Sequence, residues 1–331
     1  MIQIVDFNFE HVEEARVIAF DNYEQERLAN EFLPKVQELP GLEVFAEFGL
    51  GVAALDDEGL MIGFLCAYPP REDAFGTTNI RGTFVPVHAH GVRLSMSEKE
   101  RERIYSRMYQ AAAKKWMKEG ILSHAIALYA HDTAGEKSFY YNGFGIRCID
   151  AIRPMKELSI KPLSFTEATN IEYLELPRED WGNLLEHHNK LIAHLGQSPT
   201  FMKFPEITEE KLYQDAAEDI RYFAAKLEEN YIAYIKVGND GETFVSEVEG
   251  MMNICGAYCC PQYRGTGVYH NLLAFMISTL KQEGYTLLGV DCESINPTAK
   301  GFWLKYFEDY THSVVRRIDD KSIMKEEQNG L

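Results

Sequence analysis

The stretch Met252-Asn253-Ile254-Cys255-Gly256-Ala257-Tyr258-Cys259-Cys260-Pro261-Gln262-Tyr263-Arg264-Gly265-Thr266-Gly267-Val268-Tyr269 decides the reading of this chain. Met252 to Cys260 reads as an apolar strand. From Tyr269, apolar residues recur at three- and four-residue steps through Leu272, Leu273, Met276, Ile277 and Leu280. That is one face of a helix, and Glu283-Gly284 supplies a plausible C-terminal stop. Between strand and helix, Gln262-x-x-Gly265-x-Gly267 directs main-chain N–H groups into the space at the helix N-terminus, which suits an anion. The glycines allow close approach of a pyrophosphate to the backbone, and Arg264 and the helix dipole add favourable charge.

Working outward, Ile171 to Leu176 reads as a strand, Trp181 to Leu195 as an amphipathic helix and Glu209 to Asp219 as a more polar one. Arg221 to Leu227 and Tyr231 to Val237 form a hairpin about Glu228-Glu229-Asn230. Beyond the long helix come a strand, Tyr285 to Cys292, a short helix, Asn296 to Tyr306, and a terminal strand around Ser313 to Ile318. The first half repeats this order. Ile2 to Phe7 is its first strand, Val12 to Phe32 its helical region, and Val52 to Asp56 with Leu60 to Ala67 its hairpin. Thr83 to His88, Glu100 to Lys118 and His124 to Tyr129 then match strand, long helix and strand. Each long helix closes on Glu-Gly, and each half ends near Arg-x-Ile-Asp (Arg147 to Asp150; Arg316 to Asp319). Two domains are therefore expected, 1–158 and 159–331, divided in the relatively polar, Pro162-bearing segment Lys156 to Thr166.

Composition narrows the function classes. A net charge of −18 over 331 residues argues against a non-specific nucleic-acid binder, which needs Lys/Arg surface to displace counterions. The six cysteines show no C-x-x-C pair, and the N-terminus carries no basic and apolar leader. Apolar runs fall short of the ~18 residues of a membrane span. The expectation is a reduced, cytoplasmic protein with neither membrane nor nucleic-acid partner.

The loop is not a P-loop, since the Lys-Ser/Thr ending is missing, nor a dinucleotide fingerprint, since His270 stands where the third glycine belongs. Gly49-x-Gly51-x-x-Ala54 matches that fingerprint formally, but Asp56-Asp57-Glu58-Gly59 follows it as a turn, not a helix. With Asn296-Pro-Thr-Ala299-Lys-Gly-Phe302-Trp303 downstream, the loop instead resembles the GNAT acetyltransferase superfamily. That family pairs Q/R-x-x-G-x-G/A at a strand–helix junction with N-x-x-A-x-x-(F/L)-Y at the start of the next helix. The resemblance covers roughly 160–331, and the whole chain looks like a tandem GNAT protein.

The resemblance implies an α/β fold of two GNAT-like domains, each a mixed, mainly antiparallel central sheet flanked by helices. It implies acetyl-CoA as cofactor and transfer of its acetyl group to a small-molecule or peptide-like amine, with no metal required. Main-chain groups of Ala257, Tyr258 and Cys259 would bind the pantetheine arm where two strands splay. The loop from Gln262 through Tyr263, Arg264, Gly265, Thr266, Gly267 and Val268 to Tyr269 would hold the pyrophosphate, and Asn296 would lie near the thiol end. Asp291, five residues before Asn296, stands where the family often places its base, and Glu293 points to the same side of the strand. Either serves as base, directly or through water, or both are solvated strand-end acids. The family's tyrosine acid is replaced by Trp303, whose indole N–H only donates a hydrogen bond. Tyr306, Tyr258 or water would fill that role, or the thiolate leaves unassisted. Trp303 keeps a second reading open, a CoA-binding sensor or scaffold without efficient turnover.

In the first half the loop position reads Val87-His88-Ala89-His90-Gly91-Val92-Arg93, without the motif. His88 and His90 lack a third ligand at zinc spacing. Alignment of Phe139 to Phe144 with the family's last helix places Tyr140 at the acid position and Leu128 where the base would stand. A degenerate domain without cofactor binding is expected. His187, His188 and His194 are read as exposed helix residues near the acceptor cleft.

Overall fold

The computed structural model describes residues 2–73, 80–165, 171–214 and 219–318. The expected helix to Asp219, the segment to Thr166 and the motif ending at Asp319 each run partly outside the described residues. In chain order the elements are β1 (Gln3–Asp6), α1 (Val12–Ala29), α2 (Glu43–Phe48), β2 (Val52–Leu55), β3 (Met61–Leu65), β4 (Gly82–Val85), β5 (His90–Val92), α3 (Glu98–Lys118), β6 (Ser123–Tyr129), α4 (Thr133–Tyr141) and β7 (Gly145–Pro154). There follow β8 (Ile171–Leu176), α5 (Leu185–Leu195), α6 (Glu209–Gln214), β9 (Arg221–Leu227), β10 (Asn230–Gly238), β11 (Met251–Cys259), α7 (Val268–Gln282), β12 (Leu287–Glu293), α8 (Pro297–Trp303) and β13 (Glu308–Arg317).

These elements make two compact units, but not the expected 1–158 and 159–331. One holds Met1–Ile149 together with Asp309–Leu331, and the other is Asp150–Glu308. The reason lies in β13. It pairs antiparallel with β6, from Thr311 opposite Tyr129 to Arg317 opposite Ser123. Val314, fully buried, belongs to the same core as Trp116, Tyr105, Tyr109, Phe139 and Phe144. Burying such side chains is worth about 1.5–3 kcal/mol each. The strand that closes the first unit is thus the last one among the described residues.

In the first unit, β1, β2, β3 and β5 form an antiparallel sheet, and β4 runs parallel to β6. The α3 helix is set by a capping box in which Ser97 and Glu100 satisfy each other's main-chain N–H groups. Its buried residues, Ile104, Tyr105, Met108, Tyr109, Ala112 and Trp116, keep helical spacing. Gly49 ends α2 with a left-handed φ of 64° and the chain enters β2, so no nucleotide fold follows the glycines there.

In the second unit, β8, β9, β10 and β11 are successive antiparallel neighbours, and β11 runs parallel to β12. The α7 helix buries Leu272, Leu273, Met276, Ile277 and Leu280, the expected face. The helix expected from Trp181 begins only at Leu185, because Arg178–Leu184 winds as a tighter 3-10 segment.

Candidate functional site

Two features of β11 open a cleft in the second unit. Its parallel pairing with β12 runs from Met251 opposite Leu287 to Ile254 opposite Val290 and ends there, while its pairing with β10 continues to Cys259. At the same level Lys236 pairs with Gly256 and Val237 with Ile254, leaving Cys255 as the extra residue of a bulge that bends the strand. Cys260 N–H donates to Ile232 O on β10 at 2.9 Å. By alternation, the main-chain groups of Ala257 and Cys259 face the side that β12 has left.

The chain then turns through Pro261–Tyr263 into α7. Gly265 (φ 77°) and Gly267 (φ 96°) are both left-handed, a conformation costly for any residue with a Cβ. A Cβ on Gly265 would project into open space, whereas one on Gly267 would lie 3.1 Å from Pro162 O. The first main-chain hydrogen bond of α7 is Asn271 N–H to Gly267 O at 3.0 Å, so the N–H groups before it are left for another acceptor.

A cavity of about 550 Å³ joins cleft and loop. Ala257, Tyr258 and Cys259 line it from β11, and Arg264, Gly265, Gly267 and Tyr269 from the loop. Asn296, Trp303 and Tyr306 line the opposite wall. Of the expected binding residues, Gln262, Tyr263, Thr266 and Val268 lie outside this lining. Tyr263 packs edge-on against Phe165, Thr266 Oγ1 donates back to Tyr263 O at 2.6 Å, and Val268 is fully buried. Asn296 Oδ1 caps α8, accepting from Ala299 N–H at 3.3 Å and Thr298 Oγ1 at 2.7 Å.

The charge of the cavity is opposite to that of the chain. Lys161, Arg264 and Lys305 line it, and among the described residues no aspartate or glutamate does. Arg264 Nε donates to Cys259 O at 2.9 Å, which places its guanidinium across the mouth of the cleft. Burial, with Cys260 alongside, pushes the Cys259 thiol up to about 12, so it stays protonated and is no thiolate nucleophile. Trp303 is 4 % exposed, enclosed by Tyr269, Phe302 and Phe307. Tyr306 pairs its hydroxyl with His270 Nδ1 at 2.8 Å, and His270 Nε2 contacts Ser159 O at 2.8 Å. A carbonyl only accepts, so Nε2 carries the proton; in the neutral ring Nδ1 then accepts and Tyr306 O–H donates. Sequence patterns pointed to none of Lys161, Lys305 or His270 as site residues. The last appeared only as the residue breaking a glycine motif.

Asp291 and Glu293 follow the end of the β11–β12 pairing, outside the cavity lining. Protein mass around the Asp291 carboxylate strips its hydration, and Asp150, Glu242 and Glu293 add like charge. Its pKa is thereby pushed up to about 7, although the residue as a whole is exposed. The histidines of α5 are less exposed than expected. His187 is 7 % exposed and rests edge-on to Tyr258, His188 is half-buried against Tyr234 at 4.6 Å between rings, and His194 lines the cavity. Stacking on the tyrosines of β10 and β11 covers a face that the polar sequence made look solvated.

In the first unit the corresponding strand is interrupted. The strand expected from Thr83 to His88 stops at Val85, turns through Pro86–Ala89 and resumes as β5 against β3. Pro86 has no N–H with which to continue a ladder. His90, 2 % exposed, donates from Nε2 to Ala127 O on β6 at 2.7 Å, and Tyr105 packs edge-on against its ring. Tyr140 is 39 % exposed and Leu128 fully buried.

Residues 175–308 match the acetyltransferase (GNAT) family model. Among solved structures, a GCN5-related N-acetyltransferase from Sphaerobacter thermophilus aligns over 96 % of this chain and 95 % of its own, at 9 % identity and a TM-score of 0.55. A GCN5-related glucosamine N-acetyltransferase region of a fungal multi-domain GH3 β-N-acetylglucosaminidase aligns over 95 % of this chain and 38 % of its own, at 12 % identity and a TM-score of 0.52. A tandem GNAT protein from the clavulanic acid biosynthesis pathway, solved without AcCoA, aligns over 96 % and 98 % at 11 % identity and a TM-score of 0.44. The first two likenesses show a shared fold. No curated protein gives a significant sequence match.

Proposed function

We propose, from the match of residues 175–308 to the acetyltransferase (GNAT) family model, that this chain is an acetyl-CoA-dependent N-acetyltransferase acting on a small-molecule or peptide-like amine in the cytoplasm. The observation that carries the proposal is the cavity: in a chain of net charge −18 it is lined by Lys161, Arg264 and Lys305 and, among the described residues, by no carboxylate. A polyanionic cofactor suits such a lining. The uncommitted N–H groups at the start of α7 suit its pyrophosphate, and the main chain of Ala257 and Cys259 suits the amides of its pantetheine arm.

Acetyl-CoA supplies an activated acetyl thioester, which the amine attacks directly. What the protein adds is acid–base chemistry and charge. Asp291, in its ionised form, takes a proton from the ammonium so that a neutral amine is the nucleophile, while Glu293, Glu242 and Asp150 favour a cationic acceptor nearby. The departing sulfur takes its proton from water or from Tyr306, whose O–H must first turn from His270 Nδ1.

That same hydrogen bond, with Trp303 in place of a hydroxyl, favours a second reading, in which the domain holds CoA as a sensor or scaffold. Thiol release from acetyl-CoA with polyamines, aminoglycosides and amino acids separates the two. Turnover of any acceptor supports the enzyme, binding without turnover supports the module, and absence of acetyl-CoA binding defeats both. In the first unit, His90 spanning to Ala127 supports a degenerate domain without cofactor binding. One acetyl-CoA bound per full chain is expected, and two would defeat that assignment.

A further inference from the structure

The segment Ser159 to Ser164 lies across the start of α7 as a strap. Lys161 N–H donates to Asn271 Oδ1 at 2.8 Å and Asn271 Nδ2 donates back to Lys161 O at 2.9 Å. Ser159 O is held by His270 Nε2 at 2.8 Å, and Ser164 N–H donates to Thr266 O at 3.0 Å. Pro162 O approaches the bare Cα of Gly267 so closely that a Cβ there would sit 3.1 Å away. Both Asn271 and His270 are buried, at 2 % and 6 % exposure; Asn271 directs both amide atoms at this strap, and His270 bridges the strap to Tyr306. Such a lock on one loop is more than a linker requires.

The lock fixes where one ammonium goes. Lys161 lines the cavity, with Nζ 3.3 Å from Tyr306 Oη and over the Tyr306 ring at 5.7 Å from its centroid. Because Tyr306 gives its own proton to His270, its oxygen is free to accept from Lys161, so the ammonium is held by a neutral group. No carboxylate lies within ion-pair distance of Lys161 among the described residues, so no ion pair competes there with an anionic ligand. A lysine is a flexible point charge, and Lys161 is exposed, so its ammonium keeps contact with water. Here it is brought over the N-terminus of α7, where the dipole already favours an anion.

We propose that the Ser159–Ser164 strap is part of the cofactor site and that Lys161 binds a phosphate group of CoA, with Asn271, His270 and Tyr306 as its positioning residues. This rests on the cofactor assignment above and adds a ligand from outside the loop motif. The two sources of phosphate, the pyrophosphate and the 3′-phosphate, share the chemistry and are separable by analogue.

The test measures dissociation constants of the full chain for CoA, dephospho-CoA and pantetheine by calorimetry, in wild type, Lys161→Met and Asn271→Ala. Lys161→Met is expected to weaken CoA about tenfold, to flatten its salt dependence and to leave pantetheine unchanged. Loss on both CoA and dephospho-CoA assigns the pyrophosphate; loss on CoA alone assigns the 3′-phosphate. Asn271→Ala, which removes no charge, is expected to reproduce the loss by freeing the strap. Unfolding of each variant without ligand checks that the fold persists. Equal CoA binding by Lys161→Met and wild type overturns the inference, as does equal weakening of pantetheine. Failure of wild type itself to bind CoA would instead defeat the cofactor reading.

Discussion

Ile254 and Val290 are the last partners in the parallel ladder between β11 and β12. One residue further, Cys255 bulges on one strand and Asp291 begins the acidic end of the other. The cleft on the cavity side and the carboxylates beyond it thus originate at a single level of the sheet, where two strands with a common start cease to share hydrogen bonds.

A substitution at Gly267 separates the strap from backbone strain. Gly267→Ala meets both a left-handed φ of 96° and Pro162 O at 3.1 Å, whereas Gly284→Ala meets a φ of 98° with nothing within 4 Å. Each is expected to cost about 1–2 kcal/mol of stability from the backbone term. Only Gly267→Ala should also weaken CoA binding, as read by urea unfolding alongside calorimetry.

The pH dependence follows from Asp291. Burial and then Asp150, Glu242 and Glu293 hold its pKa at about 7, so kcat/KM should rise with pH through about 7 and level off above it. Asp150→Asn removes one repelling charge and should move that limb to lower pH. Asp291→Asn should lower kcat roughly 100-fold or more, as loss of a general base does. A folded pKa above the unfolded one makes ionised Asp291 a burden on stability as pH rises through 7, so Asp291→Asn should unfold at higher urea than wild type at pH 8.

Removal of the last strand should damage the first unit. A chain ending at Phe307 keeps residues 1–149 but loses Val314 and the pairing from Thr311 to Arg317. Amide exchange in β6 and α3 is expected to lose its protection, and Val314→Ala alone should cost about 2 kcal/mol. Undiminished protection in the truncated chain would contradict the unit division.

The first unit also carries opposing histidines. Burial holds His88 and His124 down at about 4, so the stability they represent is present above 6.5 and is lost as pH falls toward 4. For His312, burial works downward, but Asp309 and Glu136 overcome it and raise the pKa to about 9. Its contribution, up to roughly 3 kcal/mol, is complete below 6.5 and vanishes as pH rises through 9. Exchange protection of β6 should therefore be greatest between these limits, and His312→Gln should abolish only the alkaline limb.

Much of this was readable from local pattern. Apolar steps along Leu272, Leu273, Met276 and Ile277, and the glycines at 265 and 267, are local features, and helix, loop and anion-ready N-terminus follow from them without tertiary help. The strand break at Pro86 was missed because apolar residues continue on both sides of it. Burial of His187 and His188 was missed because the stacking tyrosines come from other strands.

By itself the sequence determined two things: the order of elements in each half, through periodicity and turn residues, and a loop suited to an anion, through two glycines ahead of a helix. Only tertiary structure decided which strand closes which unit, since β13 finds β6 by sheet pairing of residues far apart in the chain, Ser313 with Ala127 186 positions away. Likewise, only folding could place Lys161 beside Tyr306, 145 positions away. Hydrogen-bonded pairing and charge at a cavity are properties of groups remote in the chain, and no window of sequence contains them.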